Sequence, residues 1–445
     1  MSARKTALEV LRRCRTNRAW ADAALGPALR RDGLTGADAA LCSRIVYGVL
    51  QNEALLDFYL SAWCSQKPEH LQPPLQDILR IGLYQILFLD KIPVSAAVNE
   101  SVELAKAAGR GSAAGLVNAV LRRAGRERQA LPPIPNKDMV KYLSIKYSHP
   151  RWLVKRLCAL LGEEAEAFLA ADNTPAPLTI QVNPLKTTAE DLTAALAAQG
   201  VTARPHPWVS GCLELTGAGD LTALEPFRRG EFLVQDAAAA LVARVADVKP
   251  GQRVLDVCAA PGGKSFSAAF AMAGQGSILS CDLHENKLKR IREGAQRLGI
   301  SCIETAAADG RVFRPDWEGQ FDTVLVDAPC SGLGIIRKKP DARYKRAEDL
   351  FTLPVVQDGI LRNAARYVRP GGTLVYSTCT ILPEENQQIT SVFLAETPDF
   401  VPVPFALPAP AGPTEGEITL WPHRHGTDGF YICRMTRLAG KASLL

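Results

Sequence analysis

The stretch "RVLDVCAAPGGKS", residues 253 to 265, decides the fold. An apolar, strand-like run stops at Asp256, a turn containing Gly262 and Gly263 follows, and a helical pattern starts beyond it. The cadence repeats downstream. "SILSCD" (277–282) leads to a helical pattern over 285–298, and "CIETAAAD" (302–309) and "FDTVLVD" (321–327) come next. A helix over about 353–368 then runs through "RPGG" into "TLVYST" (373–378). Strands alternating with helices predict an α/β domain over 236–445, Rossmann-like, with a mostly parallel, doubly wound sheet. "DGFYICRM" (428–435) reads as a terminal antiparallel strand.

Ligands of such sheets sit outside the carboxyl ends of the strands. Gly262 and Gly263 let the backbone turn tightly and approach a ligand closely. A Walker loop would need glycine where Cys258 stands, so Lys264-Ser265 does not complete one, and GxGxxG is absent. The loop Cys258-Ala259-Ala260-Pro261-Gly262-Gly263-Lys264 therefore suits a ligand without a pyrophosphate. Asp282, 20 residues beyond Gly262, stands where a ribose diol is usually held. Asp309 ends the next strand, placed to accept from a purine amino group. A ribose and adenine site with no diphosphate recognition points to S-adenosylmethionine.

Two cysteines follow strands of the same sheet: Cys330 in "DAPCSG" and Cys379 in "YSTCT". Buried thiols usually fill space, the expected role of Cys14, Cys64 and Cys158 on helical patterns. Metal binding would want further soft ligands at suitable spacing, and none are present. Transfer of a methyl group to C5 of a pyrimidine fits both cysteines. A thiolate adding at C6 makes C5 carbanion-like, and a second thiol would help break the adduct. Asp327 could hydrogen-bond the ring N3 and neutralise charge developing there. Chemistry alone does not rank the two thiols. Between them "GIIRKKPDARYKR" (334–346) carries six basic residues against one acid, which reads as a phosphate-gripping loop with Tyr344 free to stack.

Upstream the character differs. Residues 1–130 show helical periodicity throughout, with the apolar "IGLYQILFL" at the expected bundle centre. The Pro-rich "LPPIPN" (131–136) marks a boundary, and 137–235 reads as a small α+β connector, compatible with an RNA-recognition-like sheet but lacking that module's aromatic signature. The net charge of +6 falls entirely in residues 1–130, which hold 18 Lys/Arg against 12 Asp/Glu. A basic module beside a neutral one suggests a polyanionic partner, nucleic acid before membrane. The longest apolar run is cut by Asp90 and Lys91, too short for a membrane span. Eleven scattered cysteines without a C-x-x-C pair argue against disulfides and structural zinc, and for a reducing, cytoplasmic setting.

In order and spacing, "DVCAAPGGK", "DAPCSG" and "YSTCTILPEEN" resemble the motifs of RNA cytosine-5 methyltransferases of the NOL1/NOP2/Sun family. The helical N-terminus resembles the NusB-like RNA-binding domain of its bacterial Sun/RsmB branch. The resemblance implies a 16S ribosomal RNA substrate and S-adenosyl-L-methionine as cofactor, held by Cys258 through Lys264 with Asp282, Asp309 and Asp327. It implies that Cys379 is the nucleophile and that Cys330 assists release. Leu333 and Tyr344 depart from the branch's usual Thr and Trp, and His149 in "SHPRWL" is expected to be structural. The same chemistry on transfer RNA, and a non-catalytic ribosome-assembly factor, are the alternatives. No motif demands a second chain, so a monomer is the expectation.

Overall fold

The computed structural model describes residues 2–17 and 19–439, which form two compact units. The first contains the chain up to Thr174 together with Ile336–Lys345, and the second contains Pro175–Ile335 and the chain from Arg346 onward.

In the first unit seven helices pack around one apolar core: Ala3–Asn17, Ala21–Arg31, Gly36–Gln51, Glu53–Trp63, Pro73–Phe88, Val94–Ala107 and Ala114–Glu127. Pro73 opens its helix, where its missing N–H costs no hydrogen bond, and residues Ile78, Leu79, Ile81 and Leu83 are fully enclosed. Arg80 on that helix is buried too, and it is compensated by Asp57 at 2.7 Å and Glu53 at 2.9 Å.

Beyond residues 131–136 the chain continues in the same compact unit. Helices Met139–Lys146, Arg151–Leu161 and Ala165–Ala171 belong to it. Polar side chains tie them in: Ser148 Oγ accepts from the Ala54 amide (2.7 Å), and Gln51 Nε2 donates to the Asn173 carbonyl (2.6 Å). His149 is enclosed between the Tyr147 carbonyl (2.7 Å) and Asp172 (3.3 Å), and burial holds its imidazole well below the usual range.

One cation of the basic loop is not available to a phosphate. Arg343 is fully buried within the first unit, donating to the carbonyls of Gln51 (2.9 Å), Tyr147 (3.2 Å) and Ser148 (3.1 Å) and to Asn173 Oδ1 (2.9 Å). Tyr344 donates its hydroxyl to the Leu50 carbonyl (2.6 Å). Leu50 and Gln51 close helix Gly36–Gln51, so their carbonyls lack helical partners and carry the negative end of its dipole. A guanidinium meets that need as well as it meets a phosphate, and residue counts cannot separate the two.

The second unit contains two main sheets. The smaller has strands β1 (Leu178–Val182), β2 (Thr202–Pro205), β3 (Cys212–Thr216) and β4 (Phe232–Val234), all antiparallel, in the order β2-β3-β1-β4. Helix Ala189–Ala197 covers one face through Leu192 and Leu196. On the other face Gln181 accepts from Ser267 (2.7 Å) of helix Gly263–Ala271, and Cys212 joins the core under helix Ala237–Val245. The face on which an RNA-recognition module stacks bases is thus covered in this chain.

The large sheet comprises β5 (Arg253–Asp256), β6 (Ser277–Asp282), β7 (Ile303–Ala307), β8 (Phe321–Asp327), β9 (Val368–Thr378) and β10 (Phe400–Pro402). After a hairpin of β11 (Phe405–Ala406) and β12 (Pro413–Thr414) come β13 (Glu417–Leu420) and β14 (Phe430–Arg437). The order is β10-β14-β9-β8-β5-β6-β7, with β13 also on β14. Strands β5 to β9 run parallel, and β14 closes antiparallel against β9. From β5 the chain builds outward through β6 and β7, then returns to β8 on the other side, so the topological switch lies between β5 and its neighbours.

Replacing Arg343 with Met should cost about 3 kcal/mol or more in urea unfolding, since several buried acceptors lose a charged donor. Lys at that position should recover only part of the loss, because one ammonium cannot reproduce the planar fork. A loss under about 1 kcal/mol for Met would mean that the contacts contribute little.

Candidate active site

The register of β8 on β9 pairs Asp327 with Ser377, so both strands end at the same height. Ser377 Oγ donates to Asp327 Oδ1 (2.9 Å), and the Ala328 amide donates to the Ser377 carbonyl (2.9 Å). The chain beyond each strand then brings Cys330 Sγ within 3.3 Å of Cys379 Sγ. Close backbone contact holds these loops together. Gly334 donates to the Cys379 carbonyl (3.0 Å) and accepts from the Gly429 amide (2.8 Å). A Cβ at Gly334 would meet the Gly429 oxygen at 1.9 Å, so only glycine fits.

Lys264, in the first turn of helix Gly263–Ala271, reaches across to Asp327 Oδ2 at 2.5 Å. Burial works against its charge, but the Asp327 carboxylate outweighs burial and holds the ammonium above its ordinary value. The thiols are not equivalent. Cys379 lies below the ordinary thiol range, first because Cys330 donates to it and then because Lys264 attracts its negative form, against opposition from burial and Asp327. Cys330 is pushed well above that range by the hydrogen bond with Cys379, by burial and by the charge of Glu385. Within the pair the negative form is favoured on Cys379 rather than on Cys330. Cys258 sits in the glycine loop, and burial with the charges of Asp256, Asp327 and Asp282 keeps it protonated.

Around the first turn the donor set suits a small charged ligand. Gly262 has φ +111°, and a Cβ there would meet the Phe266 ring at 2.5 Å. Beside Gly263, Gln235 Nε2 is buried with no hydrogen-bond partner, a donor left over by the protein's own packing. Asp282 ends β6 with its carboxylate accepting from the His284 amide (3.0 Å) and paired with Lys287 (3.2 Å). Asp309 stands two residues past β7, and Arg311, at 2.7 Å, holds its carboxyl below the usual range. Asp256, fully buried, accepts from Ser265 Oγ (2.7 Å), and burial raises its carboxyl to about 7. Cys330, Cys379, Asp327 and Lys264 thus converge at the ends of β8 and β9. Asp282 and Asp309 stand further along the same edge, at β6 and β7.

Gln235, Ser377, Gln357 and Glu385 carry no role in the sequence reading. Gln235 had a visible signal, the "VQD" that precedes helix Ala237–Val245, where Asp236 caps the Ala238 amide (2.9 Å). Glu385 stands in the quoted "LPEEN", but nothing local shows that its carboxylate turns inward. Among the described residues no cluster of His, Cys, Asp and Glu could hold a metal ion, and no helix is long and apolar enough to cross a membrane.

A doubly wound parallel sheet with a glycine turn after its first strand, acids at the next strand ends and no phosphate loop defines an S-adenosylmethionine-dependent methyltransferase. The family model "16S rRNA methyltransferase RsmB/F" matches residues 243–436, a NusB family model matches 1–126, and a ferredoxin-like domain of RsmF/B-like methyltransferases matches 149–222. A probable ribosomal RNA small subunit methyltransferase B of Bacillus subtilis is 39% identical over 98% of this chain and 99% of its own length. A ribosomal RNA small subunit methyltransferase B of Pseudomonas putida is 36% identical over 90% of this chain and 91% of its own. The crystal structure of PH0851 superposes with a TM-score of 0.81 at 28% identity, covering 98% of this chain and 99% of that one. A methyltransferase homolog from Pyrococcus horikoshii gives a TM-score of 0.58 at 27% identity, over 68% of this chain and all of that one. The chain belongs to the RsmB/F family of methyltransferases.

The raised carboxyl of Asp256 sets a pH dependence. The unfolded chain ionises it near 3.8 and the folded protein only near 7, so between those values the native state binds a proton that the unfolded chain does not. The contribution of Asp256 to stability therefore falls as pH rises from about 4 to 7. Asp256→Asn removes that fall, and the variant's stability relative to wild type should be higher at pH 8 than at pH 5 in urea unfolding. An unchanged difference would mean that the folded carboxyl ionises normally.

Proposed function

We propose that this protein methylates C5 of a cytosine in 16S ribosomal RNA through a covalent adduct between Cys379 and C6 of the base. One observation carries the reading: two cysteine sulfurs 3.3 Å apart at the ends of adjacent parallel strands, beside the Lys264–Asp327 pair. The names of the full-length relatives support the RNA, and the motif resemblance supports the position of transfer.

S-adenosylmethionine, held by the loop from Cys258 to Lys264 with Asp282, Asp309 and Asp327, supplies an electrophilic methyl group when bound. The rest of the work falls to side chains. Cys379, already biased towards thiolate, forms a C–S bond at C6 and turns C5 into a nucleophile. Attack at C6 leaves negative charge on the ring at N3; Asp327, carrying a proton when the base is bound, gives that proton to N3, and Lys264 beside it holds the carboxylate that remains. Once C5 carries the methyl group, a base removes its proton, the electron pair left behind re-forms the C5–C6 double bond, and the C–S bond breaks with its pair returning to the Cys379 thiolate. Cys330, in contact with the departing sulfur, assists that release. A base must leave its helix for a thiolate to reach C6, so the target is unpaired or flipped out. In the first unit Arg122, Arg123, Arg126 and Arg128 are exposed on or just beyond helix Ala114–Glu127, a stripe suited to phosphates.

The test is a denaturing gel of protein with 16S RNA and S-adenosylmethionine. Cys330→Ala should accumulate a protein–RNA adduct and turn over at least about 100-fold more slowly, while Cys379→Ala should form no adduct and transfer no methyl. Accumulation in Cys379→Ala instead would exchange the two roles. Methyl transfer to transfer RNA alone would replace the substrate, and RNA binding without transfer by wild type would make the protein an assembly factor.

A further inference from the structure

The loops that carry the two thiols share one buried carboxylate. Glu385 lies in the short turn Pro383–Glu385 and is 1% exposed. Its Oε2 accepts from the Ser331 amide (2.8 Å) and from Gln357 Nε2 (2.9 Å), and its Oε1 from Thr380 Oγ1 (3.3 Å). Ser331 follows Cys330 in the chain, and Thr380 follows Cys379. Gln357 Nε2 also donates to the Pro329 carbonyl (2.9 Å), on the other side of Cys330. Ser331 Oγ and Thr380 Oγ1 meet at 2.6 Å, which closes the ring of contacts.

The carboxylate is itself held in place. Tyr376 donates its hydroxyl to the Glu385 carbonyl (2.6 Å). The next residue, Asn386, accepts from Thr378 Oγ1 (2.6 Å) and donates to the Thr380 carbonyl (3.0 Å). Both sides of the thiol pair also face charge. Glu385 acts on Cys330, whereas Lys264 acts on Cys379, where Asp327 and Asp428 oppose it. A fixed negative charge on one side and a cation on the other make the two protonation patterns of the pair unequal.

We propose that Glu385 is a positioning residue that holds both thiols in register and leaves the shared proton on Cys330, which frees Cys379 to attack. The assignment of attack rests on the proposed function. The buried carboxylate touches neither thiol directly, so it acts through Ser331, Thr380 and its charge.

Limited alkylation of the full-length protein with iodoacetamide, without RNA or cofactor, tests this by peptide mapping of Cys379 against Cys330. Both thiols are partly exposed. Wild type should label mainly at Cys379, and Glu385→Gln, which keeps the volume and removes the charge, should lower the Cys379-to-Cys330 ratio by about 5-fold or more. Gln357→Met cuts the tether but keeps the carboxylate, so it should slow methyl transfer while the ratio still favours Cys379. An unchanged ratio in Glu385→Gln overturns the proposal. If that variant lacks the native near-UV dichroism, Glu385→Asp decides. Retained preference for Cys379 with slower turnover upholds the proposal, and equal labelling overturns it. Absence of an RNA adduct in Cys330→Ala would count against the covalent mechanism, whereas the labelling ratio is read without RNA and stands apart from it.

Discussion

Parallel pairing of β8 with β9, with Asp327 opposite Ser377, is the constraint on which the site depends. Parallel strands deliver their carboxyl ends to one edge, and equal strand ends deliver the following residues to one height. The thiols are 49 residues apart in sequence and 3.3 Å apart in space because of that register. A slip of one residue would turn Asp327 to the opposite face and take it from both Ser377 and Lys264. The glycine contact between Gly334 and Gly429 then brings the β14 side of the sheet against the same loops. The antiparallel strand β14 accordingly serves the site as well as closing the sheet.

Electrostatics divides the labour once geometry has paired the thiols. In water two thiols at this separation would share a proton almost evenly. Here the pair is partly enclosed, and fixed charges act at a local dielectric below that of water, so modest asymmetry is amplified. Lys264 is central because it serves two anions, Asp327 by direct contact and Cys379 by field. A ligand that draws Asp327 away leaves Lys264 nearer to a bare positive charge. The thiolate of Cys379 would then be favoured more strongly with substrate in place than without it.

The fold of the second unit was legible because its pattern is local. Each strand ends in a polar or glycine-bearing turn, and the acids at 256, 282 and 327 sit at strand ends while 309 lies just past one. The site was legible in its letters but not in its partnerships. The sequence places Lys264 in a phosphate-like loop and Asp327 at a strand end, but their ion pair is a product of strand order. Glu385 was invisible for the same reason, since a charged residue in a Pro-Glu-Glu run reads as a solvated turn. The basic loop misled in the opposite direction. Charge counting sees six cations and cannot see that Arg343 faces helix-end carbonyls.

That last case bears on how a protein of this kind grips RNA. Counterion release is governed by exposed cations near phosphate, and a buried guanidinium contributes nothing to it. With Arg343 engaged by four acceptor groups, and Arg80 withdrawn together with Glu53 and Asp57, neither guanidinium is available to phosphate. Arg123 is further discounted by Glu127 at 2.8 Å, although an exposed pair of that kind is weak and readily yields to phosphate. What remains available on helix Ala114–Glu127 is a short stripe spaced by three or four residues, one face of a helix, which matches a groove edge better than a broad patch. Under the proposed function, electrostatic attraction would supply approach and rough orientation of the RNA, and discrimination among cytosines would fall to the catalytic edge, where only an accessible base could present C6 to Cys379.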